Sequence, residues 1–247
     1  MRLVQFTDTH LFGNPRETLR GVDTLATLRQ TLAHAAADVR MADAVLVTGD
    51  LVQDDPSGYP HFRQAFAALG KPVWCLPGNH DLPDAMHDSL AGPPFLVCGS
   101  VDHGDWRIVL LDSFLAGSAG GLLSADELQR LDASLASCDG RHALVCVHHQ
   151  PVPMQSRWLD SVTLANAAEF LALVERYPGV TRGILWGHVH QAYDGYRRGV
   201  RLMATPSTCG QFLPGADEFA VDDRPPAYRR IHLLPQGEIE SEVIWIT

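Results

Sequence analysis

Aspartate, asparagine and histidine residues fall in five short clusters of the sequence, and each cluster directly follows an apolar run. One such cluster alone is typical of a turn or a loop, but five of them at the ends of predicted strands indicate a metal site. Imidazole and carboxylate groups are ligands that suit iron, manganese, zinc and cobalt, and no cluster contains a cysteine thiol. The clusters are Asp8 with His10, then Asp50, then Asn79-His80-Asp81, then His148-His149, and last His188 with His190.

The apolar runs before these clusters have the length and composition of buried β-strands. In parallel α/β sheets, ligands bind beyond the carboxyl ends of the strands, so residues from distant parts of the chain can meet at one edge. Gly49, Gly78 and Gly187 adjoin the clusters and fit a backbone that turns sharply beside bulky side chains. The five predicted strands are Arg2–Thr7, Ala44–Thr48, Lys71–Leu76, His142–Val147 and Thr181–Trp186.

Predicted helices alternate with these strands, and the last sixty residues read instead as antiparallel hairpins. Ser124-Ala-Asp-Glu127 has the pattern of a capping box that opens a helix. Strand and helix alternation with a β-rich end predicts an α/β protein with two sheets, and residues 1–247 are predicted to form one domain. The predicted helices are Asp23–Arg40, a helix marked by Phe62, Phe66 and Leu69, the helix from Ser124 through Leu135, and Leu164–Arg176; the further strands are Arg107–Asp112, Ala192–Arg197, Val200–Ala204, Tyr228–Leu234 and Glu238–Ile246.

The composition argues against several classes of function. The formal net charge is −10, from 19 Lys+Arg against 29 Asp+Glu, and no basic stripe suited to a nucleic acid polymer is visible. No window of about 18 apolar residues predicts a membrane span, and the start lacks the pattern of a signal peptide. The five cysteines are an odd number and widely scattered, which favours reduced thiols and a cytoplasmic location.

Five blocks of the sequence resemble the signature blocks of the calcineurin-like metallophosphoesterases. They are FTDTHLF, TGDLVQD, LPGNHD, VHHQP and WGHVHQ, and they extend from residue 6 to residue 191. The resemblance implies an α/β fold, a four-layer αββα sandwich of two mixed β-sheets flanked by helices, with a two-metal centre between the sheets. It assigns Asp8, His10 and His190 to the first metal, Asn79, His149 and His188 to the second, and Asp50 to a bridge between both metals.

Two details of this assignment depend on the family pattern. Within the pair His148-His149, the family's ligand is normally the histidine nearer the proline, so His149 is predicted as the ligand. Many relatives have an aspartate three positions after the bridging aspartate, whereas this chain has Gln53 there and Asp54 one position later. The expected cofactors are two divalent or trivalent metal ions per chain, iron and/or manganese first, with zinc or cobalt also permitted.

The whole chain further resembles the bacterial class III cyclic-nucleotide phosphodiesterases. The shared features are the GDLVQD block, the segment Trp158-Leu159-Asp160 and residues 204–212. This resemblance implies hydrolysis of 3',5'-cyclic AMP, a small-molecule cyclic nucleotide, to 5'-AMP. Another phosphodiester (a glycerophosphodiester or a nucleotide pyrophosphate), a phosphomonoester, or a binding protein without activity are the alternatives. Trp158 and Phe212 are either core aromatics or contacts to the base, and the chain is expected to be a monomer or a homodimer.

Two-metal chemistry predicts in-line attack on phosphorus by a hydroxide that bridges the metals. The departing O3' needs a proton, and His80, which has no metal assigned to it, is the predicted donor. Asp81 is predicted to orient a neighbouring imidazole. The predicted contacts to the substrate come from five residues, namely His10, Asp50, Asn79, His80 and His190.

Overall fold

A computed structural model of the chain describes residues 1–246, so the predicted domain end at Thr247 lies outside the described residues. The strands are numbered here in chain order. They are β1 (Arg2–Phe6), β2 (Thr18–Leu19), β3 (Val22–Asp23), β4 (Ala44–Thr48), β5 (Val73–Leu76), β6 (Phe95–Val97), β7 (Gly99–His103), β8 (Trp106–Leu110), β9 (His142–Cys146), β10 (Thr181–Trp186), β11 (Tyr193–Arg197), β12 (Val200–Ala204), β13 (Gln211–Phe212), β14 (Val221–Asp222), β15 (Ala227–Leu233) and β16 (Ile239–Trp245).

The predicted helix over Asp23–Arg40 is two helices in the structure. It breaks at Ala35, whose ψ of −4° departs from the value of about −42° that a continuous helix needs. Asp23 caps the first of the two, because its side chain accepts a hydrogen bond from the backbone N–H of Ala26. The helices are α1 (Thr24–His34), α2 (Ala36–Met41), α3 (Tyr59–Ala67), α4 (Pro83–Ser89), α5 (Ala125–Ala136), α6 (Arg157–Asp160) and α7 (Ala167–Glu175).

The predicted capping box is only half formed. Ser124 accepts a hydrogen bond from the backbone N–H of Glu127, as a cap should. The carboxylate of Glu127 does not return to Ser124. It instead accepts from the backbone N–H of Asp112 at 2.8 Å, in the loop after β8, and from the guanidinium of Arg130, one turn further along α5.

Two six-stranded sheets carry the fold. The first has the order β16-β15-β1-β4-β5-β6, and the second has the order β11-β12-β10-β9-β8-β7. Strands β1, β4, β5 and β6 run parallel to one another, as do β8, β9, β10 and β12, while the outer strands β15, β16, β7 and β11 pair antiparallel. Both sheets are therefore mixed.

Three apolar clusters separate four layers. One cluster contains only residues of the sheets, among them Leu46, Trp106 and Leu185, so it lies between them. The other two join the outer face of the first sheet to α1–α4 and the outer face of the second sheet to α5–α7. Because side chains alternate along a strand, β4 supplies Leu46 to the inner layer and Val47 to the outer one. The predicted four-layer αββα sandwich is confirmed.

The five clusters of metal-binding residue types follow β1, β4, β5, β9 and β10. The first three strands are neighbours in one sheet, and the last two are neighbours in the other. Their carboxyl ends therefore emerge at one edge of the sandwich. Buried Gln5 connects the sheets there, because its amide donates to the Thr48 hydroxyl of one sheet and to the Trp186 carbonyl of the other. None of the helices within residues 1–246 combines the length and the apolar composition of a membrane span.

Candidate metal centre

Four of the predicted metal ligands form one group with close contacts. The Nε2 atom of His190 lies 3.3 Å from Asp8 Oδ1 and 3.2 Å from the Nε2 atom of His10. His10 Nε2 also lies 3.7 Å from Asp50 Oδ2. All four side chains are buried. The structure thus brings together the set predicted for the first metal with the predicted bridging carboxylate.

A second group lies on the other side of Asp50. Its ring nitrogens come from His148, His149 and His188 and lie within 4.8 Å of one another. His148 Nε2 lies 3.3 Å from Asp50 Oδ2. Asn79 lines the same cavity as Asp50 and His188, and its side-chain oxygen is buried without a hydrogen-bond partner. The Asp50 carboxylate therefore lies between two groups of nitrogen and oxygen donors.

Each of four imidazoles is held by one ring nitrogen and presents the other to the site. Such outer contacts fix the tautomer and the orientation of a ligating histidine. The holding atoms are protein oxygens, three of them backbone carbonyls that accept the N–H. The four contacts are His148 Nδ1 with Thr48 O (2.7 Å), His149 Nδ1 with Ser113 Oγ (2.8 Å), His188 Nε2 with Val162 O (3.1 Å) and His190 Nδ1 with Gly210 O (2.7 Å).

The pKa shifts at the centre favour the protonation states that a metal needs. Burial lowers the pKa of His10 to about 4 and that of His188 to about 3, so both rings are neutral at neutral pH. Burial alone would raise the pKa of Asp50, but the charge of His148 and its hydrogen bond outweigh burial and hold the pKa well below its usual value. Neutral imidazoles and an ionised carboxylate are the forms that bind metal ions.

The backbone at the centre is strained. Asp8, His10, Asp50, His188 and His190 all have positive φ, between 45° and 65°. Residues other than glycine rarely adopt this left-handed conformation, and it persists where the surrounding structure imposes it, most often at functional sites. The strain turns these five side chains toward one another across the gap between the sheets.

Close approach explains the glycines beside the clusters. A Cβ atom added at Gly78 would lie 2.1 Å from Asp50 Oδ1, and one at Gly187 would lie 2.0 Å from Thr7 Oγ1 and 2.7 Å from Asp8 Oδ2. Gly121 has the same role, because a Cβ atom there would lie 2.2 Å from His149 Nδ1. The sequence analysis did not predict it. Any side chain at these positions would displace a candidate ligand.

The residues present fit a pair of metal ions. The Nε2 atom of His149 and the side-chain oxygen of Asn79 are buried and have no hydrogen-bond partner within residues 1–246, which is costly unless something binds them. The donor set is imidazole, carboxylate and amide. None of the five sequence clusters contains a cysteine, but the fold brings Cys209 Sγ within 4.8 Å of ligand atoms of His10 and His190. Burial raises the pKa of the Cys209 thiol to about 12, so it stays protonated.

His148 lies closer to the centre than a core residue would. Its ring is fully buried, and its Nε2 atom faces the Asp50 carboxylate. Burial acts to lower its pKa, but the charge of Asp50 and their hydrogen bond outweigh burial and raise the pKa to about 9. The imidazolium therefore holds the Asp50 carboxylate from the side facing the second sheet. The assignment of His149 rather than His148 as a metal ligand stays a prediction.

His80 lies at the rim of the centre, where the predicted proton donor has to be. Its ring lies 5.3 Å from the His10 ring, and about a third of its side chain is exposed. Its Nδ1 atom lies 3.0 Å from Asp54 Oδ2 and 2.8 Å from the Gln53 amide nitrogen, and that amide donates to Asp54 at 2.7 Å. Many relatives have an aspartate at the position of Gln53, and in this chain the neighbouring Asp54 provides the carboxylate next to His80.

The predicted role of Asp81 needs a correction. Its carboxylate contacts no imidazole within the described residues and accepts instead from the backbone N–H groups of Gly78, Leu51 and Val52 and from the Tyr59 hydroxyl. Burial and the nearby Asp50 charge raise the pKa of Asp81 to about 7, against the effect of these donors. Asp81 braces the loops after β4 and β5, because four buried donors converge on it.

A cavity of about 300 Å³ opens onto the centre, at the lower end of the range for ligand sites. Five predicted substrate contacts line it, namely His10, Asp50, Asn79, His80 and His190. The residues that the sequence reasoning missed are the supports: Ser113, Gly121 and Asp54. Asp54 alone had a signal, since the departure from the family pattern marked that position.

The comparisons agree with this geometry. The family model "Calcineurin-like phosphoesterase" matches residues 1–192, so the chain belongs to the calcineurin-like phosphoesterases and is a hydrolase, as predicted. Membership implies a centre of two divalent metal ions, and the donors described above match one.

Individual relatives extend over nearly the whole chain. A protein of Pseudomonas aeruginosa named 3',5'-cyclic adenosine monophosphate phosphodiesterase CpdA is 39% identical over 98% of this chain and 88% of its own length. The protein of the same name from Escherichia coli is 38% identical over 98% and 89%. A solved dimetal phosphatase from Danio rerio superposes with a TM-score of 0.70, covering 100% of this chain and 99% of its own, at 15% identity. That likeness supports the fold alone.

Proposed function

We propose that this chain hydrolyses 3',5'-cyclic AMP to 5'-AMP at a centre of two metal ions. The observation that carries the proposal is the position of the Asp50 carboxylate, which lies between two groups of buried donors. The substrate is proposed from the relatives, since the proteins 37–39% identical to this chain over nearly its whole length are named cyclic AMP phosphodiesterases. The metal centre by itself does not distinguish one phosphate ester from another.

The proposed ligands divide as the sequence predicted. Asp8, His10 and His190 would hold the first metal, Asn79, His149 and His188 would hold the second, and Asp50 would contact both. When bound, the metal pair supplies an activated water for attack on phosphorus and positive charge for the phosphoryl oxygens. The nitrogen and oxygen donors favour iron or manganese and also accept zinc or cobalt. Metal analysis of the purified protein identifies which ions are present.

His80 acts on the leaving group in this proposal. Hydrolysis breaks the P–O3' bond, adds an O–H to phosphorus and delivers a proton to O3'. His80 lines the cavity, and because its Nδ1 atom faces Asp54, its Nε2 atom is available to the substrate. A positioned general acid of this kind contributes roughly 10²–10⁴ in rate. Asp54 keeps the ring in that orientation by accepting from Nδ1.

The test is a panel of substrates given to the metal-loaded enzyme. It contains cyclic AMP, bis(p-nitrophenyl) phosphate, a glycerophosphodiester, a nucleotide pyrophosphate and a phosphomonoester. The proposal expects cyclic AMP to have the highest kcat/KM of these and 5'-AMP to be the only product. Full activity after the metals are stripped with a chelator, or a higher kcat/KM for one of the other phosphate esters, would contradict it.

Two further predictions remain part of the proposal. A cytoplasmic location is supported by the five cysteines, which are all free and four of which are buried. The chain is expected to be a monomer or a homodimer, and light scattering on the purified protein measures this directly.

A further inference from the structure

Three aromatic rings form one wall of the cavity and extend outward from the candidate ligand His190. Phe212 stacks on the His190 ring, with centroids 4.1 Å apart and planes 9° apart. Trp158 and Phe219 each meet Phe212 edge to face, with centroids 5.0 Å and 5.4 Å away. We call Trp158, Phe212 and Phe219 the aromatic wall. It begins at the metal centre and leads away from it.

Arg20 extends over the outer end of this wall. It is the first residue of the two-residue turn between β2 and β3, with a φ of 50°, and this turn points the side chain across the cavity. Its guanidinium carbon lies 4.4 Å from the centroid of Phe219. Arg20 is the only lysine or arginine that lines the cavity, and within residues 1–246 no carboxylate forms a salt bridge with it.

The segment that carries Phe219 is unusually apolar for a surface. Of the six exposed large hydrophobic side chains within residues 1–246, three lie between β13 and the start of β14: Leu213, Phe219 and Val221. Phe219 is 45% exposed although it belongs to the aromatic wall. Exposed apolar surface grouped in this way beside a cavity is typical of a ligand-binding site.

We infer that the aromatic wall and Arg20 form the slot for the purine base of the nucleotide. The inference rests on the proposed function, since it names the part of the same cavity that holds the base while the phosphate lies at the metal centre. Bases stack on aromatic rings and on guanidinium planes without regard to sequence, and the outer end of this wall offers both. Phe212 joins this slot directly to His190, so the base and the phosphate lie on one continuous path.

The second cavity beside His80 is a poorer slot for a base. It has a volume of about 400 Å³, and Phe114 is the one phenylalanine, tyrosine or tryptophan that lines it. Asp54 and Asp81 also line it, and no arginine or lysine does. Carboxylates have no attraction for a π-face, whereas a guanidinium has. If the base binds along the aromatic wall, removal of the Phe219 ring should weaken its binding. If the base binds in the second cavity, removal of the Phe114 ring should do so.

The experiment measures what the base adds to binding, separately from cyclic AMP hydrolysis. The inhibition constants of 5'-AMP and of ribose 5-phosphate are measured against bis(p-nitrophenyl) phosphate hydrolysis by the metal-loaded enzyme. These two inhibitors differ at C1', where 5'-AMP carries the base and ribose 5-phosphate carries a hydroxyl group, so the ratio of their constants reports the contribution of the base. We expect 5'-AMP to bind about tenfold more tightly than ribose 5-phosphate to the unchanged protein.

The variants locate that contribution. Phe219→Ala should lower the ratio by about five- to tenfold, and Phe219→Trp should keep it within about twofold because stacking is retained. Arg20→Ala should lower it by about threefold, as expected for an exposed cation–π contact. Leu213→Ala, in the same segment and equally exposed, and Arg16→Ala, which removes a charge from a neighbouring exposed position, are the matched controls and should leave the ratio unchanged.

Each outcome decides the inference. A ratio that falls in Phe219→Ala and not in Phe114→Ala supports the slot, even if cyclic AMP itself proves not to be a substrate. A ratio that falls in Phe114→Ala instead, or a ratio near one in the unchanged protein, overturns the slot. The proposed function still stands in that case if cyclic AMP is hydrolysed, so the two failures are distinguishable.

Discussion

Replacing Ser113 by alanine removes the hydroxyl that holds the outer nitrogen of His149. Ser113 lies in the loop after β8, is fully buried, and its Oγ atom lies 2.8 Å from His149 Nδ1. The His149 ring is also fully buried, so water cannot take the place of the hydroxyl. In the variant the ring either keeps its orientation with Nδ1 unpaired or turns to find another partner. Both outcomes weaken the binding of the second metal by the other ring nitrogen, Nε2, which is proposed to face it.

The size of the effect follows from this burial. Leaving a buried polar atom unpaired costs about 1–3 kcal/mol. Since about 1.4 kcal/mol corresponds to a factor of ten in a binding constant, the affinity for the second metal should fall by roughly 5- to 140-fold. This agrees with the roughly 10- to 100-fold loss that removal of such a supporting contact causes at other metal sites. We expect the turnover number at saturating metal to change little, because no proposed ligand has been removed.

The assay titrates metal-free enzyme with Mn²⁺ and follows both the heat of binding and the hydrolysis of bis(p-nitrophenyl) phosphate. In Ser113→Ala, the Mn²⁺ concentration that half-saturates the weaker site should rise by the factor calculated above. Ser134→Ala is the matched control. Ser134 on α5 is also a buried serine, and its hydroxyl makes one hydrogen bond, to the hydroxyl of Ser100 on β7 at 3.1 Å. Equal half-saturating concentrations in both variants and the unchanged protein would refute the role of Ser113.

Three further predictions concern the rim and the cavity. His80→Ala should keep both metals bound, by metal analysis, while kcat falls by roughly 10²–10⁴; unaltered turnover would remove its role as proton donor. Asp54→Asn should lower kcat by about tenfold or more at unchanged KM, whereas the exposed Asp84→Asn should not; a rise in KM alone would assign Asp54 to binding. Cyclic GMP should be cleaved with a kcat/KM within about tenfold of that for cyclic AMP, because stacking accepts either purine, and a preference above about a hundredfold would contradict the slot.

The positions of the candidate ligands could be predicted because the carboxyl ends of parallel strands all lie at one edge of a sheet. The strands Ala44–Thr48 and Thr181–Trp186 were predicted with the bounds that the structure has. Ala44–Thr48 is apolar up to its last residue and Thr181–Trp186 ends in the apolar run Ile184–Trp186, as expected for strands that are buried on both faces. Once the strands are known, the polar residues after them must lie at one edge of the sandwich.

The supports of the site could not be predicted in the same way. Ser113 and Gly121 lie far from His149 in the sequence and meet it only when β8 and β9 pair. No local pattern distinguishes a serine that holds an imidazole from a serine in any loop. Strands β6 and β7 and helix α4 were also missed, because Phe95–Val97 is short, Gly99–His103 is an exposed edge strand, and the helix Pro83–Ser89 buries only Met86. Periodicity carries little information in elements of this kind.

The measurement that tests the central claim most directly is anomalous X-ray diffraction from crystals of the metal-loaded protein. The proposed ligand set predicts two anomalous peaks about 3.5–4 Å apart, with the Asp50 carboxylate between them. Asp8, His10 and His190 should surround one peak, and Asn79, His149 and His188 the other. A single peak, or two peaks that do not share Asp50, would contradict the account.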